Sequence, residues 1–204
     1  MVTIEKHGIL LAPTENEFEN NGVFNPGIYQ EGNTVHILYR AVQDGNFSTI
    51  GYAKTDGPLK LIERHEKPLI TMDFEYENHG VEDPRVIKIE DTFYIIYTAY
   101  DGVNCMGALA TSKDLIHFKK HGIITPKVTY QEYEEYVTFC DSCGLNPKYH
   151  HYYRLFAEIG LVSDEMRLLR DKDVVLFPKK INGKFAMLHR IWPGIQIVYF
   201  DDWK

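Results

Sequence analysis

The chain has 204 residues, of which 44% are hydrophobic and 25% charged, with 29 acidic against 22 basic side chains and a formal charge of −7. That composition is globular rather than disordered, and its acidic balance excludes a general nucleic-acid binder, which needs clustered Lys and Arg to hold phosphates. No apolar run of about 18 residues occurs, so no membrane span is expected. The opening MVTIEKHGILLAP lacks the charged start, long apolar stretch and cleavage site of a signal peptide. Three cysteines cannot all pair with one another, which predicts reduced thiols and a cytoplasmic setting. Aromatic residues reach 13%, a level that suits a β-rich protein and also one that stacks rings on sugars.

In chain order, Gly27 to Arg40 reads as two strands joined at Glu31-Gly32-Asn33, and Gly51 to Gly57 adds a further strand and an acidic turn. The pattern returns at Arg85 to Thr98, with Gly107 to Asp114 after it. A Tyr- and Glu-rich stretch at residues 129–164 follows and contains the best helix signal in the chain. A third copy runs from Phe177 to Arg190 and continues at Ile195 to Trp203. Tyr39 and Tyr97 are 58 residues apart, whereas Tyr97 and His189 are 92 apart, so residues 129–164 read as an insertion between repeats. Repeats of this size, built from strands and tight turns, predict a β-propeller; a plain β-sandwich with look-alike strands is the alternative.

The sharpest segment is His79-Gly80-Val81-Glu82-Asp83-Pro84-Arg85, which leads into the apolar Val86 to Ile89. Proline restricts the residue before it, so Asp83 is expected to be extended and held at a strand entrance. The innermost strand of each propeller unit faces a shared axis. Asn25-Pro26 lies 58 residues before Asp83-Pro84 and Asp173 opens the third unit, so three polar side chains are expected to converge. The plainer reading makes Asp-Pro only turn chemistry.

In the insertion, Cys140-Asp141-Ser142-Cys143 followed by His150-His151 has the flavour of a zinc site but lacks a second cysteine pair. A packed, reduced segment without metal is expected, with Cys105 in the core. Tyr130, Tyr133, Tyr136, Tyr149, Tyr152 and Tyr153 could serve as a sugar platform or an oligomer contact; helix packing against the sheets is the expectation.

Taken together and in order, Phe24-Asn25-Pro26-Gly27, Leu38-Tyr39-Arg40-Ala41, Ile50-Gly51-Tyr52-Ala53, Gly80-Val81-Glu82-Asp83-Pro84-Arg85, Lys172-Asp173-Val174-Val175-Leu176-Phe177-Pro178 and Leu188-His189-Arg190 carry a resemblance. The chain resembles the β-mannoside phosphorylases and related mannosidases of glycoside hydrolase family 130 over about residues 7–203. The resemblance implies an all-β, five-bladed β-propeller with its active site in the central funnel. Here it would be one partial propeller domain, residues 1–204, of about three blade units, with the helix-bearing insertion at 129–164. A five-unit ring at a 58-residue step exceeds 204 residues. The chain is therefore expected to belong to a longer protein or to be completed by another chain, a homo-oligomer being one route.

The same resemblance implies that Asp83 is the general acid, protonating the leaving glycosidic oxygen through a hydroxyl of the bound mannose. Asn25 and Arg40 would grip the mannosyl unit, with Arg85 and Asp173 in the same substrate site. Lys172 matches a phosphate-binding lysine. Lys120, two residues after Phe118, stands where phosphorylases usually carry an arginine, and supplies a point charge in place of a fork. His189 and Arg190 complete the expected phosphate set; blade packing is their other reading. Inversion by phosphate needs an acid on one face and cations around the nucleophile, with no second catalytic carboxylate. The implied reaction cleaves a β-mannoside oligosaccharide with inorganic phosphate to α-mannose 1-phosphate, without metal or organic cofactor. The alternatives are an inverting β-mannosidase of the same fold, and an inactive truncated propeller that binds sugar or a partner chain.

Overall fold

The computed structural model describes residues 3–139, 148–159, 167–192 and 194–203. Its described strands follow the repeats. Unit 1 is an antiparallel meander of β1 (Gly22–Glu31), β2 (Thr34–Val42), β3 (Ser48–Asp56) and β4 (Lys60–Arg64). Unit 2 repeats it with β5 (Gly80–Ile89), β6 (Thr92–Tyr100), β7 (Cys105–Ser112) and β8 (Phe118–Ile123). A third group comprises β9 (Asp171–Leu176), β10 (Phe185–Ile191) and β11 (Gln196–Phe200). Consecutive units touch edge to edge through single parallel pairs, Ser48 with Gly80 and Met106 with Asp171.

Side chains alternate across a strand, and here each face meets a different neighbour. On β6 and β7, Ile95, Tyr97, Ala99, Ala108 and Ala110 pack toward Leu38, Ile50 and Tyr52 of unit 1. The alternate residues Ile96 and Leu109 pack toward Val174, Leu176 and Met187 of the third group. On β2, Ile37, Tyr39 and Ala41 face away from unit 2, where Phe18 and Leu11 of the N-terminal segment cover them. Both faces of each central strand are therefore buried, which is why their sequences read as nearly continuous β-branched and aromatic runs. The units stack face to face, as blades do in a propeller.

The hairpins carry the expected turn chemistry. Asn182 and Gly183 both have positive φ, 53° and 80°, which a two-residue turn matched to strand twist requires. The first strands approach closely near the axis: a Cβ on Gly27 would lie 2.6 Å from the Pro84 carbonyl oxygen, so only glycine lets β1 and β5 meet there.

The described residues between 129 and 159 include two helices, α1 (Tyr130–Phe139) and α2 (Lys148–Glu158). A capping box starts α1: Thr129 Oγ1 accepts the Glu132 N–H at 3.1 Å while Glu132 Oε2 accepts the Thr129 N–H at 2.8 Å. The stretch is tied off at its base, where the Leu169 N–H donates to the Val128 carbonyl. On α2, the Tyr149 hydroxyl accepts from Gln196 at 2.7 Å and Tyr152 meets Trp192 edge-on, so this helix docks on the β10–β11 turn. Cys105 is buried, and burial pushes its thiol pKa up. Cys140, Cys143 and the side chain of His150 lie outside the described residues. Among the described residues, no helix is long and apolar enough to cross a membrane.

Candidate active site

The first strand of each unit breaks register at the same place. Phe24 pairs with Arg40 and Gly27 with Leu38, so Asn25 and Pro26 together oppose Tyr39. Glu82 pairs with Thr98 and Arg85 with Ile96, which sets Asp83 and Pro84 against Tyr97. Lys172 pairs with Arg190 and Val175 with Leu188, leaving Asp173 and Val174 opposite His189. Each break is a β-bulge, a device that re-aims a side chain. The leading bulge residues have φ of 48° (Asn25), 51° (Asp83) and 58° (Asp173). Asn and Asp are the non-glycine types that best tolerate this left-handed region, which accounts for their use at all three sites. Asp83 is thus not extended, as the proline after it had suggested. The bulge, rather than a straight strand entrance, presents its carboxylate.

The three bulges share one cleft of about 220 Å³, lined by Asn25, Pro26, Asp83, Arg85 and Asp173. Within it the Asp83 Oδ1 accepts a hydrogen bond from the Asn25 side-chain amide at 2.8 Å and lies 3.6 Å from Arg40 Nη1. Arg40 is held by three other partners. Its Nη2 meets Glu82 Oε1 at 2.7 Å, its Nε donates to Ser48 Oγ at 2.9 Å, and its guanidinium lies 5.2 Å from the Phe24 ring centroid. Burial pushes the Glu82 carboxyl pKa up; Arg40 pulls it down, the Asp83 charge raises it, and Lys172 and His79 pull it down. Arg85 is exposed on the cleft wall. Asp173 is ion-paired with Arg190 of its own unit at 2.7 Å. Lys172 and Arg190 also line a second cavity of about 160 Å³ under α1, with Arg170, Tyr130, Tyr133 and Trp192.

Two expected phosphate ligands are not brought to these cavities. Lys120 is buried against the Phe74 and Tyr97 rings, and its ammonium is bound by Glu77, by Asp73 at 2.9 Å and by the Thr71 carbonyl at 2.5 Å. Those three acceptors use all three of its protons. His189 is held through Nδ1 by the buried Asp171, 2.8 Å from Oδ2. Its ring occupies the place of Tyr39 and Tyr97, whose hydroxyls donate to the buried Glu19 (2.6 Å) and Glu77 (3.1 Å). In each unit the residue opposite the bulge is tied to a carboxylate, so His189 belongs to this repeated buttress.

A family model described as beta-1,4-mannooligosaccharide phosphorylase, glycoside hydrolase family 130, matches residues 9–200. The chain belongs to this family. It is 31% identical to a 1,2-beta-oligomannan phosphorylase from Thermoanaerobacter sp. (strain X514), over 96% of this chain and 55% of the relative. Among solved structures, a glycosyl hydrolase from Bacteroides ovatus matches with a TM-score of 0.69 at 21% identity, covering 95% of this chain and 54% of the other. The beta-1,2-mannobiose phosphorylase from Listeria innocua, solved with beta-1,2-mannobiose, matches with a TM-score of 0.61 at 21% identity, over 89% of this chain and 56% of that one. The chain spans about half the length of the curated relatives it matches. These likenesses establish the all-β, propeller-type fold of family 130.

Within this family 130 chain, sequence reasoning missed Glu82 as a partner of Arg40, and Arg170 beside Lys172. It also missed the buried Glu19 and Glu77. The 58-residue step that relates Tyr39 to Tyr97 relates Glu19 to Glu77 as well, and was the signal that could have found them.

Proposed function

We propose that the chain supplies the sugar-binding and acid side of a β-mannoside phosphorylase that works with inversion. The observation that carries this reading is Asp83 on its bulge, facing a cleft whose other walls come from equivalent bulges in two further units. In the reaction, Asp83 gives its proton to the leaving glycosidic oxygen, directly or through a mannose hydroxyl. A phosphate oxygen attacks C1 from the opposite face, so the β-mannoside leaves as α-mannose 1-phosphate and a shortened acceptor. Asn25 and Arg40 hold the mannosyl unit. Lys172, Arg190 and the exposed Arg85 provide the positive field that a phosphate dianion needs. Lys120 and His189 support the units from behind. No metal or organic cofactor takes part.

An inverting mannosidase would need a carboxylate base opposite Asp83. Asp173 is the other acid lining the cleft, and it is already ion-paired with Arg190, which keeps a cation at the phosphate side. Incubation with short β-1,2- and β-1,4-mannosides, with and without phosphate, tests the reading. Mannose 1-phosphate should form only with phosphate, and Asp83→Asn should lower turnover about 10²–10⁴-fold. Free mannose formed equally without phosphate would overturn the proposal in favour of hydrolysis, and binding without any product would leave a sugar-binding chain.

A further inference from the structure

The position just before each bulge carries a different chemistry in each unit: Phe24, Glu82 and Lys172. Glu82 is the anomaly. A carboxylate only 5% exposed is costly unless a cation and hydrogen bonds answer it. Its side chain is packed over Gly80, where an added Cβ would stand 3.0 Å from Oε1 and 3.1 Å from Cγ, so the backbone has been cleared to admit it. What answers Glu82 is Arg40, reached from the neighbouring unit at 2.7 Å. Arg40 faces two adjacent carboxylates, and it gives Glu82 the short contact and Asp83 the long one, at 3.6 Å. A contact of 3.6 Å is beyond hydrogen-bond range, so the edge of the guanidinium beside Asp83 is not taken up by that carboxylate.

We propose that Glu82 is a positioning residue: by seizing one edge of Arg40 it stops the guanidinium from turning and keeps the other edge aimed at the hydroxyls of a bound mannosyl unit. The sugar in this statement rests on the function proposed above. The groups facing Glu82 are Arg40 and Ser48 from unit 1, Asp83 and His79 from its own segment, Lys172 from β9, and the Cys105 thiol on β7. Burial dominates among them and pushes the Glu82 carboxyl above the ordinary glutamate range. As pH falls through that raised value, Glu82 takes a proton, its hold on Arg40 weakens, and the guanidinium is released to turn.

The experiment reads Arg40 directly in the ligand-free chain, through the nitrogen-15 guanidinium signals of the wild type, Glu82→Gln and Asp83→Asn. In the wild type and in Asp83→Asn, restricted Nη signals at neutral pH should collapse on acidification. In Glu82→Gln they should be averaged at every pH. Affinity for β-1,2-mannobiose, followed from pH 4 to 8, should fall severalfold on acidification in the wild type, and should be severalfold weaker and nearly flat in Glu82→Gln. Arg40 signals and affinity that are unchanged in a folded Glu82→Gln overturn the proposal and leave Glu82 a packing residue. Should that variant fail to fold, Arg40 signals in the wild type that stay restricted down to pH 4 overturn it equally. Arg40 signals that behave as expected while no mannoside binds at any pH would uphold Glu82 as the residue that positions Arg40 and refute the mannoside.

Discussion

Units 1 and 2 carry the same buried clamp 58 residues apart, and close it against different things. In unit 1, Glu19 accepts from Thr14 (2.6 Å) and Tyr39 (2.6 Å) and meets Arg64 at 2.9 Å, while Arg64 also donates to the Tyr39 hydroxyl and to the Ala12 carbonyl. In unit 2, Glu77 receives Tyr97, the Asp73 N–H and Lys120, while Lys120 reaches Asp73 and the Thr71 carbonyl in the link between units. Arg64 and Lys120 occupy matching registers, opposite Ala53 and Ala110. The first clamp thus fastens the N-terminal segment over an outer face, and the second locks the connection between two stacked units. A planar fork serves the first, where several acceptors lie in different directions at a partly open edge. A compact ammonium suits the second, where three acceptors surround one point. A cation read from sequence as a ligand for phosphate is, in this geometry, part of the frame that holds Asp83.

The contrast can be broken most forcefully at the carboxylates. Glu77→Ala takes the acceptor from the buried Tyr97 hydroxyl and the Asp73 N–H and leaves the nearly buried Lys120 ammonium with Asp73 and the Thr71 carbonyl; it should cost about 3–5 kcal/mol in urea unfolding. Glu19→Ala should cost less, about 2 kcal/mol, because the Arg64 side chain is 17% exposed and keeps Ala12 and water as partners. Alkaline pH probes the phenols. Burial, and then the neighbouring Glu77 charge, pushes Tyr97 up, whereas a hydrogen bond from Arg64 partly offsets the rise at Tyr39. A raised phenol contributes stability that is complete below about pH 10, the unfolded value, and is lost as pH climbs through the folded one. Stability should therefore decline above pH 10, and Tyr97→Phe should remove more of that slope than Tyr39→Phe. The smallest effects come from exchanging the cations. Lys120→Arg should cost about 1–3 kcal/mol through overpacking, and Arg64→Lys about 1 kcal/mol through the lost fork, both read from thermal unfolding.

The repeat was legible because strand periodicity and turn residues are local: the hairpins at 27–40, 85–98 and 177–190 can be aligned without knowing any contact. Asp83 and Asn25 were legible for the same reason, as equal steps along that repeat. The conformation of Asp83 was not. The Asp-Pro dipeptide pointed to an extended residue, and only the pairing with β6 imposes a bulge. Glu82 stood inside the sharpest motif and still escaped notice, because its partner, Arg40, lies on another unit, 42 positions away in the chain. Lys120 and His189 show the converse effect, each tied to a carboxylate that the sequence did not connect to it. A basic residue beside a motif looks available for an anion until the buried carboxylates around it are known.

By itself, the sequence determined the β-strand units, their spacing and the polar residue at the matching position of each first strand, since these depend on local propensity and pattern. The tertiary structure alone decided which charges are spent inside the frame and which face the cleft. That partition depends on desolvation and on distances between residues of different units, and a buried carboxylate will claim a cation from anywhere in the chain that can reach it.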